Sequence, residues 1–269
     1  DLSLYSHSVI DHPAWLARGR QASVELVHIV SPNELAASNL APVHPAGAML
    51  LQQTDDLDAK VVELARQGRD RLDAARTTLI EAGVYDVATR LLEGHPAQTM
   101  VQAASRASIV VMGKRGERAD LARLPLGSNV ERVARGTKVP VLAVSRSFRP
   151  IKRMLAALDA EEPAAPALDA LAGQLLPAGP IDLLHVGEAN ENVSKTLDLG
   201  AAKLRGAGFV VSCRTEPGEA QTVVPQRVVL DEADLLIINA FGSSRLRSMI
   251  LGSLSSELLR ACQVPVLLC

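Results

Sequence analysis

The chain has 269 residues, a formal net charge of −2, 48% hydrophobic residues and 2% aromatic ones. That length holds two domains of ordinary size, and so aliphatic a composition builds its core from Ala, Val and Leu. Near-neutral charge without a basic block, and too few aromatics for stacking platforms, exclude non-specific nucleic-acid binding.

A helix is expected over 5–20, with Pro13 predicting a kink or a late start. VELVHIV (24–30) reads as a strand. It runs into an insertion, 31–53, rich in Ala, Pro and Asn, of the kind that forms surface loops. A long helical pattern covers 56–82, with Leu57, Val61, Leu64, Ala65, Leu72 and Leu79 on one broad face. Over 60–76 its Lys and Arg alternate with Asp and Glu, as on a solvated face. The stretch 108–145 then carries an apolar run, 109–112, that ends at Gly113. A loop with Gly113 and Gly116 follows, Gly127 and Ser128 open a helix, and a second apolar run spans 139–144 after a spacer. Short apolar runs bounded by Gly and Pro are the pattern of buried parallel strands.

A short linker, 146–150, exposes Arg146 and Arg149. Beyond it, strands over 152–158, 181–186, 209–213, 235–238 and 264–268 alternate with helices over 165–176, 192–207, 222–231 and 253–262. Gly208 follows a helix as a C-cap signal. No apolar run reaches the roughly 18 residues of a membrane span, and no secretory leader is visible. Cys213, Cys262 and Cys269 make no CxxC pair, which fits a reducing, cytoplasmic setting.

The order of elements repeats. LPLGSNVERVARGTKVPVLAVS (124–145) aligns with MILGSLSSELLRACQVPVLLC (249–269), and SIVVMGKRG (108–116) with DLLIINAFG (234–242). EGHPAQTMVQ (93–102) aligns with PGEAQTVVPQ (217–226), VELVHIV (24–30) with IDLLHVG (181–187), and Asp1 with Asp159. Two copies of one domain are expected, 1–146 and 151–269, with the first copy's opening strand expected before Asp1. Alternating strands and helices imply α/β architecture, with helices on both faces of each parallel sheet. Val139–Val144 and Val264–Leu268 are equivalent, apolar and carry Pro at an edge-compatible position. Such edges aggregate unless paired, so the two copies are expected to pair through them.

The chemistry concentrates in one pattern, Gly113-x2-Gly116-x10-Gly127-Ser128, which recurs as Asn239-x2-Gly242-x9-Gly252-Ser253. Glycines after a strand let backbone N–H groups approach a phosphate without a Cβ in the way. A helix opening at Gly-Ser offers unpaired N–H groups and the positive end of its dipole to an anion. Lys114 and Arg115 add positive charge to the first loop, whereas Asn239 places a side chain at the second, where Asn tolerates positive φ. Asp1 and Asp159 stand at the carboxyl ends of opening strands, where open parallel sheets bind ligands.

With this motif, the repeat and the VPVL endings, the chain resembles the universal stress protein family in its tandem form. The resemblance covers nearly all of the chain apart from 31–53. It implies two open, five-stranded parallel sheets of Rossmann-like, adenine-nucleotide α-hydrolase-like fold, related by a pseudo-twofold axis. ATP-binding members carry G-x2-G-x9-G-(S/T), from which the first copy departs by one loop residue and the second by Asn239. Matching positions for nucleotide contact are Asp1, Ile29, Met112, Gly113, Gly116, Gly127, Ser128 and Asn129 in the first copy. In the second they are Asp159, Val186, Gly242, Gly252, Ser253 and Leu254. The resemblance implies a cytoplasmic stress-response regulator that binds ATP or another adenine nucleotide, with Mg as ATP's accompanying cation. It allows a homodimer, and expects no membrane or nucleic-acid partner.

A plainer reading competes at the same residues. Ser128-x-x-Glu131 is also a capping box, which explains Ser128 without a ligand, and Glu131 would repel phosphate. An interaction scaffold or a binder of small hydrophobic molecules is the alternative function, and an adenine-nucleotide hydrolase a third. The chain has no G-x4-GK(S/T), G-x-S-x-G or H-E-x-x-H, no nucleophile–base pair is visible, and any ATP hydrolysis is expected to be slow and incidental. His28 and His185 are equivalent and flanked by apolar strand residues, as core histidines are. Gln98-Thr99 and Gln221-Thr222 repeat after Gly94 and Gly218, as helix-entry chemistry.

Overall fold

The computed structural model describes residues 5–17, 22–31, 50–115, 128–158, 166–239 and 253–269, with backbone alone at 50–60, 128 and 253. The first copy contributes α1 (Ser6–Ala17), β1 (Val24–Val30), α2 (Leu50–Glu81), β2 (Val87–Glu93), α3 (Pro96–Ala104), β3 (Val110–Gly113), α4 (Ser128–Gly136) and β4 (Val141–Val144). The second contributes β5 (Met154–Ala157), α5 (Pro166–Ala172), β6 (Pro180–Val186), α6 (Glu191–Gly206), β7 (Val210–Glu216), α7 (Ala220–Leu230), β8 (Leu235–Ile238), α8 (Ser253–Ala261) and β9 (Val266–Leu268). The chain forms two compact units, 17–102 and 1–16 with 103–269.

In the smaller unit, β1 and β2 pair in parallel from Val24↔Val87 to Val30↔Glu93, and α2 packs on both. Gly68 permits that packing, because a Cβ there would lie 2.7 Å from both His28 Cδ2 and Leu91 Cδ1. His28 therefore lies against a helix, half-buried. The helix begins at Leu50, earlier than its apolar pattern indicates; most of the insertion, 32–49, lies outside the described residues.

The larger unit holds a seven-stranded sheet in the order β3-β4-β9-β8-β5-β6-β7. Every neighbouring pair is parallel except β4 and β9. All five second-copy strands are therefore present, in one parallel run. Helices cover both of its faces: Cys213 donates to Leu197 O of α6, while the next residue, Arg214, pairs with Asp231 at the end of α7. Adjacent strand residues point to opposite faces. β8 (LLII) is buried at every position, as a parallel strand between two helical layers must be. Asn190 caps α6, its Oδ1 accepting from Val193 N at 2.9 Å.

The first copy differs from the single five-stranded sheet expected of it. In the second copy, β5 hydrogen-bonds to both β6 and β8. Among the described residues no first-copy strand has that central role, so its four strands form two separate pairs, β1–β2 and β3–β4.

The terminal strands pair as expected, with Val141↔Leu268, Leu142↔Leu267 and Ala143↔Val266. The repeat equates 141 with 266 and 143 with 268, so the outer pairs are images of each other under a two-fold at Leu142↔Leu267. This junction is part of the unit's main core, in which Leu142, Val144, Leu183, Leu235, Ile237 and Leu267 are fully buried. Arg146 and Arg149 of the connector are exposed.

Pro13 lies inside α1, which starts at Ser6 without delay. One turn before the end of that helix, His12 is fully buried, its Nδ1–H donating to Ser8 O at 2.7 Å and its ring standing edge-on to Phe148 of the connector. Among the described residues its Nε2 has no partner. Burial lowers the His12 pKa, against smaller raising effects of Ser8 and Asp11. The folded state thus binds fewer protons at this site than the unfolded state, so stability is complete above about pH 6.5 and falls as pH drops below it. Thermal melting at pH 7 and pH 5 is expected to show a larger acid loss in the wild type than in His12→Phe; equal losses would exclude His12 as the source.

Candidate functional site

In a parallel sheet all carboxyl ends lie at one end, where loops and helix starts converge. At that end of β3, Met112 is buried and Gly113 closes the strand. Gly113 is not in the left-handed region. Its lack of a side chain serves proximity instead, since a Cβ there would lie 2.8 Å from Tyr5 Cβ and 2.9 Å from Arg115 O. Tyr5, buried ahead of α1, occupies the room that the glycine leaves. The helix with the Gly127-Ser128 start, α4, begins at Ser128, with Asn129 half-buried in its first turn. Asp1, Gly116 and Gly127 lie outside the described residues, as do the side chain of Ser128 and the rest of the 116–127 loop. Ile29 belongs to the smaller compact unit, on β1.

Lys114 corrects the expectation of a phosphate-facing cation. Its side chain is buried, and its ammonium donates to Cys262 O at 2.7 Å and Val264 O at 2.8 Å, carbonyls just past the end of α8. Burial pulls its pKa down to about 8, and pushes the neighbouring Cys262 thiol up to about 11. A helix end leaves carbonyls without intrahelical partners, and this lysine supplies donors to two carbonyls there. Nothing in the local sequence distinguishes a loop lysine that reaches a phosphate from one that reaches 148 residues ahead to another helix.

Glu131 is likewise engaged. Its carboxylate accepts from Arg260 of α8 at 3.1 Å and pairs with Arg135 at 3.6 Å. The charge expected to repel phosphate is thus balanced by two guanidiniums.

In the second copy, Val186 at the end of β6 and Asn239 after β8 flank the end of β5. Asn239 is not among the residues of positive φ, which at non-glycine positions are Gln174 and Glu232 among those described. Its side chain is turned to a helix start, Oδ1 accepting from Ala167 N of α5 at 3.2 Å. His185 is buried, with Nδ1 3.3 Å from Leu158 O, the residue before Asp159. It is a core histidine that ties β6 to β5 next to the expected ligand position. Leu254 is 39% exposed in the first turn of α8, which begins at Ser253. Asp159, Gly242 and Gly252 lie outside the described residues, as does the side chain of Ser253. Gly94 and Gly218, at φ +139° and +127°, turn the chain from β2 into α3 and from β7 into α7, where L side chains are strained.

Among the described residues no group of three or more His, Cys, Asp or Glu is placed to hold a metal ion, and no helix is long and apolar enough to cross a membrane. A cavity of about 330 Å³ opens at the opposite, amino ends of β5, β6 and β7, lined by Arg153, Asp182, Ser212, Arg214 and Asp231 among others. Arg153 donates to Asp231 O and Arg214 to its carboxylate, so this lining is polar and internally paired.

The model of the universal stress protein family matches residues 1–145 and 187–269, one stretch in each copy. The chain belongs to the universal stress protein family. It is 28% identical over 276 residues to universal stress protein Slr1230 of Synechocystis, across 99% of this chain and 96% of that one. A universal stress protein from Archaeoglobus fulgidus has a similar structure, with TM-score 0.67 and 21% identity over 100% of this chain and 93% of that chain. A putative universal stress protein from Pseudomonas aeruginosa follows at TM-score 0.52 and 16% identity, over 92% and 93%. These likenesses support the α/β, Rossmann-like fold of a tandem universal stress protein.

Proposed function

We propose that this universal stress protein binds ATP or another adenine nucleotide at the carboxyl end of its strands and acts as a regulator in the cytoplasm, not as a metabolic enzyme. The supporting observation is the start of α4 at Ser128, after a glycine motif that begins at the carboxyl end of β3. A nine-residue helix opening there turns its unpaired N–H groups and dipole toward an anion. In the second copy adenine would lie toward Val186, ribose toward Asp159 and phosphates over Gly242–Gly252; in the first copy phosphates would lie over Gly113–Gly127. Three free cysteines accord with a reducing compartment. Titration calorimetry with ATP, with and without Mg, is expected to give saturable heat, and a thermal-shift assay a raised midpoint. No heat and no shift at millimolar nucleotide would reject the reading in favour of an interaction scaffold.

A further inference from the structure

The backbone register at the junction of the copies is two-fold, but the charged contacts across it are not. The first copy sends the Lys114 ammonium to Cys262 O and Val264 O of the second. The second sends Arg260 to Glu131 of the first. The repeat equates Lys114 with Ala240 and Glu131 with Ser256, while Arg260 is matched by Arg135. The second copy therefore holds two carbonyls and one guanidinium that need a lysine and a glutamate, and brings neither of its own at those positions.

We propose that the terminal-strand face of the second copy is specific for a first copy, its own or that of another chain, and rejects a second copy. Two second copies joined by the same register would set Arg260 against Ser256 and leave the carbonyls of Cys262 and Val264 without an ammonium. Unpaired buried carbonyls are costly, because they lose water and gain no donor. Two first copies would keep both kinds of contact. Chains that exchange partners at this face are thus limited to first-with-second pairing, or to first-with-first pairing that leaves both second copies uncovered. The exposed edge and apolar face of β9 would then be an aggregation hazard.

Two experiments on the full chain decide this. In the first, Glu131→Arg and Arg260→Glu are each expected to lower the melting midpoint by about 2–4 °C. The double variant, with the charges exchanged, is expected to recover at least half of the summed loss; losses that simply add would overturn the role of the pair. Lys114→Met keeps the stem but removes the ammonium, and an unchanged midpoint would overturn the role of the lysine. In the second, Leu267→Cys is oxidised beside the wild type. Pairing of second copies would set residue 267 against residue 267 of another chain, within disulfide reach for opposite antiparallel residues. No interchain dimer beyond the wild-type level is expected, whereas Leu142→Cys with Leu267→Cys should cross-link within one chain. A dimer band particular to Leu267→Cys would overturn the proposal.

Discussion

Gly116→Val is expected to weaken ATP binding at least about tenfold, a loss of roughly 1.4 kcal/mol or more. Position 116 is the second glycine of the first-copy motif, where backbone has to approach a phosphate and a branched side chain would stand in between. Gly242→Val, the equivalent change in the second copy, is expected to cost less. That copy already carries Asn239 in its loop, with the carboxamide committed to the start of α5. The advantage of the first copy does not rest on Lys114, whose ammonium is spent on α8. It rests on the absence of a carboxamide at the position of Asn239, together with Gly116, Gly127 and Ser128. Calorimetry of both variants against the wild type decides the matter. Loss of binding in Gly242→Val with none in Gly116→Val would place the working site in the other half.

Leu142→Ala and Leu267→Ala are each expected to cost about 2–5 kcal/mol of folding stability. Both leucines are fully buried and directly paired across the β4–β9 junction. Truncating either removes apolar contacts on one side of the seam and leaves a cavity in the layer shared by both copies. For a chain of this size each kcal/mol corresponds to roughly 2–4 °C in the melting midpoint, so a circular-dichroism melt resolves the effect. Because the two side chains are register partners, the double variant is expected to lose less or more than the sum, by about 0.5 kcal/mol or greater. Losses under about 1 kcal/mol in both single variants would show that the seam closes over the gap, and that the junction is not the stability centre of this unit.

The sequence alone determined the class of fold and the doubling of the domain. Short aliphatic runs such as Leu235–Ile238, alternating with amphipathic helices, can be buried only as parallel strands between helical layers. The two VPV endings carry enough apolar edge to require a partner, and each is the other's counterpart. The glycine spacing likewise identified the helix start at Ser128, because cap and turn chemistry are local. The boundaries of β7 and α5 were less legible, since a strand end or a short helix is settled by its neighbours more than by its own residues.

Only the tertiary structure decided what the polar residues around that frame do. Lys114 and Glu131 read locally as a phosphate cation and a capping-box acid, yet both are satisfied by α8, more than a hundred residues away in the chain. Gly113 reads as a phosphate approach, yet the room it leaves is filled by Tyr5. Asn239 reads as a tolerated turn residue, yet it holds the start of α5 without a positive φ. Hydrophobic pattern is read from neighbours in sequence, because burial repeats with the period of the element. The partner of a buried polar group is whichever donor or acceptor the fold brings within about 3 Å, and no local period records it.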